Sequence, residues 1–382
     1  MEKTQNLSIN PNKIHSVLYY FLFFIAGFNY LLIFAILIIT CSLLEALKLK
    51  NSKIKTQFIV SSIIFFFYIL LTFFIGADRF YTPSPFNAMT VILISTLYLG
   101  LILQSKTNIE KRNLISMYII GLAAQSLFIV AYNYMQGENY GYGNLLNPFT
   151  GNKMNSPSIS NNLALSLSLS LFYVFNFKML VKLASILLTL LMLLCGFYLS
   201  GRTFFLISLI ALIMLFIHNF KIKNIFYFIL LIIPLGFIST YILPDNIHKH
   251  IEFTLSRLSE GLESNRFKHY YYGLSELPNY PFGGFIVDSS IEKTLWFHNI
   301  FLDTARVAGW IPTFLLAMFT IISLTRYLYY RKNAFTFFGL YIFLITFIIM
   351  QQDVIVEGEY RILIIFFLST LMFIKVKDES LK

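Results

Sequence analysis

Long apolar runs follow one another along almost the whole chain, and they constrain the fold more than any other feature. Most of them reach the roughly 17 to 25 residues that a helix needs to cross about 30 Å of hydrocarbon. With 57% hydrophobic and only 12% charged residues, the composition differs from that of soluble domains, in which about a quarter of residues are charged. Because backbone polar groups must be satisfied inside lipid, these runs favour helices over a barrel. We therefore expect an all-α polytopic membrane protein.

The apolar runs predict about twelve transmembrane helices. Between the first two runs only Gly27, Phe28 and Asn29 indicate a turn, so one long tilted helix over residues 16–47 is the alternative. The approximate ranges of the predicted helices are residues 16–27, 30–47, 58–76, 88–103, 114–132, 163–177, 183–199, 203–217, 225–243, 298–324, 335–350 and 362–374.

Basic residues are concentrated in alternate loops of this predicted topology, and the net charge is +11. Short loops rich in Lys and Arg are retained on the cytoplasmic side of a membrane. Both termini are therefore expected in the cytoplasm, and because topology explains the excess positive charge, no nucleic-acid partner is expected. Most lysines and arginines lie in the termini and in residues 48–55, 106–112, 178–182, 221–223 and 326–332.

The longest polar segment divides the chain into three parts. We predict a first membrane block of about nine spans at residues 1–243, a large extracytoplasmic loop at 244–297, and a second block of about three spans at 298–382. A loop of this length is too long for a simple connection, and we expect it to be partly helical. A second outer loop, residues 136–161, is rich in Gly and Asn.

Arg202 interrupts a long apolar stretch, with only Ser200 and Gly201 before it to form a turn. One interpretation is that its guanidinium reaches lipid phosphates from a tight turn. The other starts from the cost of a guanidinium near hydrocarbon, roughly 2 to 3 kcal/mol, which is typical of residues kept for a bound partner. The fork of donors on arginine suits a phosphate or diphosphate.

Arg266 opens a tyrosine-rich run, Tyr270, Tyr271 and Tyr272, within the large polar loop. It is either a surface residue of an amphipathic helix or a second ligand for an anion. Flat aromatic rings pack against the C–H faces of sugars. We therefore expect the three tyrosines to bind a saccharide substrate.

His298 stands where the large loop gives way to apolar sequence. A lone histidine at such a boundary is either a structural hydrogen-bonding residue or a general base, since imidazole titrates near neutral pH. We expect Asn299, Asp303 and Arg306 to bind substrate beside it. Farther along, four charged residues before the last span are predicted to pair among themselves, namely Asp353, Glu357, Glu359 and Arg361.

Three pieces of the sequence resemble the O-antigen polymerase and O-antigen ligase family of bacterial membrane glycosyltransferases. The resemblance covers roughly residues 155–309, and the remainder of the chain is similar by hydropathy. The pieces are Ser200-Gly201-Arg202, then Asn265-Arg266 leading through Leu277-Pro278-Asn279-Tyr280-Pro281-Phe282-Gly283-Gly284, and His298-Asn299 followed after nine residues by Gly309.

The resemblance implies a C-type glycosyltransferase architecture in the bacterial cytoplasmic (inner) membrane, with the active site facing the periplasm. It implies a donor glycan on undecaprenyl diphosphate and no metal, nucleotide-sugar or other cofactor. Arg202 and Arg266 would bind the diphosphate, and His298 would orient or deprotonate the acceptor hydroxyl. A flippase and a chain-length regulator are the protein partners that it implies, beside membrane lipid.

The acceptor distinguishes two members of this family. A polymerase extends a growing glycan and a ligase transfers it to the lipid A core. We favour the polymerase because the chain is compact and residues 137–143 suit a flexible second glycan, although residues 136–161 hold Lys153 and no arginine. A lipid-linked oligosaccharide transporter is the alternative of another class. It is disfavoured because transporters place ionisable residues near the membrane midplane, whereas here the charges lie mostly at span ends.

Overall fold

The computed structural model of the protein describes most of the predicted spans as helices. The predicted spans 30–47 and 225–243, and most of 88–103, lie outside the described residues. The described residues are 11–29, 56–81, 108–136, 144–149, 153–218, 265–288, 295–330 and 334–373, with the single residues 95, 97, 98, 151, 252 and 256.

Helices account for nearly all the described structure, together with one two-stranded hairpin. In chain order the helices and strands are α1 (Pro11–Phe28), α2 (Thr56–Ile69), α3 (Asn108–Met135), β1 (Asn144–Leu146), β2 (Lys153–Asn155), α4 (Ser156–Asn176), α5 (Met179–Leu199), α6 (Arg202–His218), α7 (Asn265–Glu276), α8 (Ile300–Ala308), α9 (Trp310–Tyr330), α10 (Ala334–Met350) and α11 (Tyr360–Thr370). A π-helical turn (Leu70–Ile75) and a 3₁₀ turn (Gly76–Arg79) extend α2, and 3₁₀ turns follow α7 (Leu277–Asn279) and α11 (Leu371–Phe373).

Five helical segments of the described residues are long and apolar enough to cross a membrane. They are Ile59–Arg79, Glu110–Met135, Ser156–Asn176, Met179–Leu199 and Trp310–Tyr329. Shorter apolar helices cover Val17–Phe28, Arg202–His218, Thr336–Met350 and Tyr360–Phe373. The prediction of a helical membrane protein is thus confirmed, while the total of twelve spans and the C-type architecture stay predictions.

The central helix is α4. Of its most apolar 18 residues 83% are buried, against 17% of those of α5. Helix α4 packs against α3, α5, α6 and α10. Two of its buried serines satisfy their hydroxyls within the helix, because Ser166 and Ser168 donate to the carbonyls of Asn162 and Ala164 one turn earlier, each at 2.8 Å. Such bonds to the preceding turn lower the cost of burying a serine-rich helix.

Helix α1 lies against α3 at two glycines. A Cβ on Gly27 would lie 1.9 Å from the Tyr118 carbonyl oxygen, and a Cβ on Gly121 would lie 2.0 Å from that of Phe24. Small residues let membrane helices approach to backbone contact. The helix ends at Phe28, and Asn29 has a positive φ of 59°, so an unbroken helix over residues 16–47 is excluded.

One end of the bundle collects the polar turns and is called the loop end. Helices α1, α2, α3, α5 and α10 finish there, and α4, α6, α9 and α11 begin there. The β1–β2 hairpin at this end is held by Asn133 of α3, which accepts from the Leu146 N–H at 2.9 Å. Helices α7 and α8 also lie at this end, and because α7 falls within residues 244–297, the large loop is partly helical as predicted.

Among the boundaries that differ from those predicted, two bear on the loop end. The single span over residues 298–324 is wrong, because the short helix α8 ends at Gly309, whose φ of 85° and ψ of −162° are accessible essentially to glycine alone. The predicted outer loop over residues 136–161 is also wrong in its last part, since α4 already begins at Ser156. A proline in its first turn is preorganised for a helix start.

Candidate functional site at the loop end

Residues 351–359, called the acidic loop, connect the elements of the loop end. Gln351 accepts from Asn299 of α8, and its carbonyl accepts from Tyr270 of α7 at 2.9 Å. Asp353 accepts from Asn161 of α4 at 2.9 Å. One short segment therefore joins α4, α7 and α8, which are far apart along the chain.

The backbone at His298 is held from three sides. His298 has a positive φ of 54°, which is uncommon outside glycine. The Asp303 carboxylate accepts from the N–H groups on both sides of it, Phe297 at 2.9 Å and Asn299 at 3.2 Å. The Tyr270 hydroxyl lies 3.3 Å from the His298 carbonyl. These contacts fix an otherwise costly conformation in a half-buried residue.

Asn299 is the N-cap of α8. Its Oδ1 accepts from the N–H groups of Phe301 at 3.0 Å and Leu302 at 3.2 Å, which satisfies donors that a helix start leaves unpaired. Its Nδ2 donates to Gln351 Oε1 at 2.7 Å. Asn299 therefore starts the helix immediately after His298 and fastens it to the acidic loop.

Arg306 lies in a buried ion pair with Glu357 of the acidic loop, and each side chain is 1% exposed. The guanidinium carbon lies 4.2 Å from the centre of the Tyr81 ring, a cation–π contact. Glu357 also accepts from the Tyr81 N–H at 2.6 Å. This arrangement fixes the turn after α2 against α8.

Two of the buried carboxyls at the loop end, Asp303 and Asp353, have raised pKa values. Burial raises the pKa of Asp303 to about 6, opposed chiefly by the Arg306 charge. Burial likewise raises the pKa of Asp353 to about 6, opposed by the bond from Asn161 and reinforced by the Glu359 charge. Desolvation disfavours the ionised form of both groups.

Arg202 begins α6 directly after a tight turn. Ser200 has a positive φ of 54°, and a Cβ on Gly201 would lie 2.0 Å from Ser160 Oγ of α4. The neighbour of Ser160 is Asn161, which binds Asp353. Half-buried Arg202 is thus at the same end of the bundle as His298 and is linked to it through α4 and the acidic loop.

Helix α7 carries Arg266 and the three tyrosines. Position 266 lies one turn before Tyr270, so the two positions share a helix face; the Arg266 side chain is outside the described structure. Tyr271 is 77% exposed. Tyr272 packs against a small apolar cluster, namely Leu277, Phe285, Val287, Phe297 and Ala305. The cluster therefore contains residues from both sides of position 297, where the large loop is predicted to end and the second membrane block to begin.

The turn after α7 docks onto the end of α8 through glycines. A Cβ on Gly283 would lie 2.3 Å from the Val307 carbonyl oxygen, and one on Gly309 would lie 2.2 Å from that of Pro281. The Trp310 N–H donates to Pro281 at 2.9 Å. The two backbones are therefore in direct contact, which a side chain at Gly283 or Gly309 would prevent.

The structure brings some of the predicted site residues together directly. Tyr270, His298, Asn299 and Asp303 form one contiguous group, and Arg306 follows on the same helix. Asn299, Asp303 and Arg306 each hold other parts of the protein, so their contact with a substrate stays a prediction. Gln351 has no predicted role, and no local pattern marks it, because its partners come from α7 and from Asn299 at the start of α8.

The predicted pairing within the acidic loop is confirmed in part. Glu359 pairs with Arg361. The prediction is wrong for Glu357, which pairs with Arg306, and for Asp353, which binds Asn161. These partners lie on helices distant in sequence. In the part of the chain that the structure describes, no three His, Cys, Asp or Glu side chains are grouped to hold a metal ion.

Compared with known proteins, the chain matches no family model, and no curated protein is found to be similar to it. The functional assignment therefore depends on the residues of the site and on their chemistry.

Proposed function

We propose that the protein is a polysaccharide polymerase of the periplasmic face of a bacterial cytoplasmic membrane, acting in O-antigen or capsule biosynthesis. It transfers a glycan from undecaprenyl diphosphate to a sugar hydroxyl. The observation that carries the proposal is the backbone at His298, held in a left-handed conformation by Asp303 and Tyr270. Strain that the surroundings hold in place clusters at functional sites, and imidazole is suited to accept a proton from a hydroxyl.

The reaction forms one glycosidic bond and breaks one bond to phosphate. The acceptor oxygen attacks the anomeric carbon while His298 takes the hydroxyl proton. The bond from that carbon to the diphosphate breaks, and its electron pair leaves with the diphosphate. Arg202 and Arg266 bind the departing charge, so the two guanidinium groups supply the electrostatic stabilisation. Direct displacement inverts the anomeric centre.

The loop end supports this arrangement because it places Arg202 and His298 at one end of the bundle. The acidic loop links the helices that carry them, through Asp353 to α4 and through Gln351 to α7 and α8. A lipid-linked diphosphate at the membrane surface would contact the loop end, while its polyprenyl chain stays in the hydrocarbon of the bilayer. Tyr271, exposed on α7, is available to a sugar ring.

Three single substitutions test the proposal, namely Arg202→Ala, Arg266→Ala and His298→Ala. Each is expected to leave the protein in the membrane and to abolish long-chain surface glycan on a lipopolysaccharide gel. Lys268→Ala is the matched control, since Lys268 is an exposed cation on the same helix as Arg266. Normal chain length in all three variants would overturn the proposal.

Arg202→Lys tests whether the diphosphate needs the bidentate geometry of a guanidinium or only a positive charge. Lysine keeps the charge but not the bidentate geometry of guanidinium, so we expect this variant to fail as well. Deleting the protein distinguishes the polymerase from the ligase alternative: loss of the ladder with one repeat kept on the core indicates a polymerase, and loss of every repeat indicates a ligase.

A further inference from the structure

A crevice opens between α3, α4 and α5, away from the loop end. Its volume is about 420 Å³, within the roughly 300 to 1,000 Å³ of small-molecule sites. Ile119 of α3, Leu169 of α4 and Leu188 of α5 are among its lining residues. Leu180 at its edge is 83% exposed. The crevice is therefore open on the side of the bundle that a bilayer would cover.

Three of the four hydroxyl-bearing residues in the crevice wall donate to partners within the protein. Ser166 donates to the Asn162 carbonyl at 2.8 Å, and Ser170 donates to the Ser185 carbonyl at 2.7 Å. Tyr173 donates to Ser116 at 2.9 Å. The lining consequently presents mostly apolar surface, which suits a hydrocarbon chain.

Cationic residues lie near one end of the crevice. Lys178 precedes α5 and Lys182 lies in its first turn, next to the lining residue Val181. The Arg112 guanidinium carbon lies 5.0 Å from the centre of the Phe177 ring, and Phe177 packs on Tyr173 with their centroids 4.3 Å apart. Tyr173 lines the crevice, so the basic end is continuous with the apolar wall.

We propose that this crevice binds one anionic phospholipid. An acyl chain lies between α3 and α5, and the headgroup phosphate lies among Arg112, Lys178 and Lys182. Basic pockets between membrane helices on the cytoplasmic side bind anionic headgroups, and the charge of this rim matches that chemistry. A second copy of the chain would bring the same cations together across a two-fold contact, which disfavours it as the occupant. The proposal is independent of the enzymatic function.

Native mass spectrometry of the full chain in detergent tests the headgroup preference. The probes are phosphatidylglycerol and phosphatidylcholine with identical acyl chains, and retention of one phosphatidylglycerol is expected. Lys178→Ala and Lys182→Ala should each weaken its retention about fivefold, since a basic residue near a membrane surface contributes about 1 kcal/mol. Lys153→Ala, an exposed lysine at the loop end, is the control and should change nothing. Equal retention of both lipids would overturn the proposal.

A second pair of variants tests the location of the acyl chain. Ala184→Trp fills the crevice from α5 and should remove the retained lipid. Leu187→Trp, at a 68% exposed position outside the crevice lining, should leave it in place. If Ala184→Trp does not fold, phosphatidylglycerol with a photoreactive acyl chain is cross-linked to the unaltered protein. Adducts confined to residues 115–192 support the site, and adducts confined to other parts of the chain contradict it.

Discussion

Asn299 Nδ2 donates to Gln351 Oε1 at 2.7 Å. The residue that starts α8 is thereby fastened to the segment that leads into α11. Because Asn299 follows His298 directly, this bond also limits where the histidine can lie. The same asparagine caps the helix with its other side-chain atom, so one residue combines helix initiation with placement of the candidate base.

Replacing Asn299 with alanine tests this combined role. The variant loses the N-cap, which typically stabilises by about 1 kcal/mol, and leaves Gln351 without its donor. We expect a lower thermal midpoint in detergent together with shortened surface glycan. Asn299→Asp keeps the acceptor for both helix N–H groups and loses only the donor to Gln351, so its loss of stability should be smaller than that of the alanine variant. Equal stability of the alanine and unaltered proteins would contradict this role.

Gly309→Ala tests the backbone contact between α8 and the turn after α7. The added Cβ would lie 2.2 Å from the Pro281 carbonyl oxygen, at a φ of 85°. We expect a loss of about 2 kcal/mol or more, since strained backbone alone costs roughly 1 to 3 kcal/mol. Gly151→Ala is the control, because Gly151 has a φ of 71° with nothing within 4 Å of its Cβ position. Thermal unfolding should show the smaller loss for the control; equal losses would exclude the contact as the cause.

The ion pair of Arg306 with Glu357 is expected to show strong coupling. Removing one partner leaves a buried charge, which costs about 3 to 5 kcal/mol. Arg306→Met and Glu357→Gln should each destabilise the protein by about that amount, and the double variant should recover most of the loss. A double-mutant cycle of thermal unfolding measures the coupling. Additive losses would show that the two side chains do not interact.

Acidification from pH 7.5 to pH 5 should stabilise the folded protein. Burial raises the pKa of Asp353 and of Asp303 to about 6 from the usual 3.8. Protonation therefore favours the folded state, and the stabilisation is fully present below about pH 4 and is lost as the pH rises through 6. Each carboxyl contributes at most about 3 kcal/mol.

Asp353→Asn isolates the part of this pH dependence that comes from one carboxyl. The amide does not titrate, so the rise in thermal midpoint on acidification should be smaller than in the unaltered protein. Asp78→Asn, at an exposed aspartate, is the matched control and should keep the full rise. An unchanged rise in Asp353→Asn would contradict the assignment.

The sequence by itself determined that the chain is a helical membrane protein. Runs of apolar residues can satisfy their backbone only as helices in lipid, and this holds whatever their neighbours are. Local chemistry also indicated the turn before Arg202, a possible turn at residues 27–29, and pairing among the charged residues that include Glu359 and Arg361. Each of these features depends on residues that are close together in the chain.

Only the tertiary structure decided how the loop end is assembled. Gln351, Asp353 and Glu357 look alike in sequence as polar residues of one short loop, yet they bind α8, α4 and the turn beside Tyr81. The left-handed backbone at His298 likewise depends on Tyr270 from another helix. The physical reason is that these groups are satisfied by partners tens to hundreds of residues away, and a hydrogen bond between distant segments leaves no periodic signal in either one.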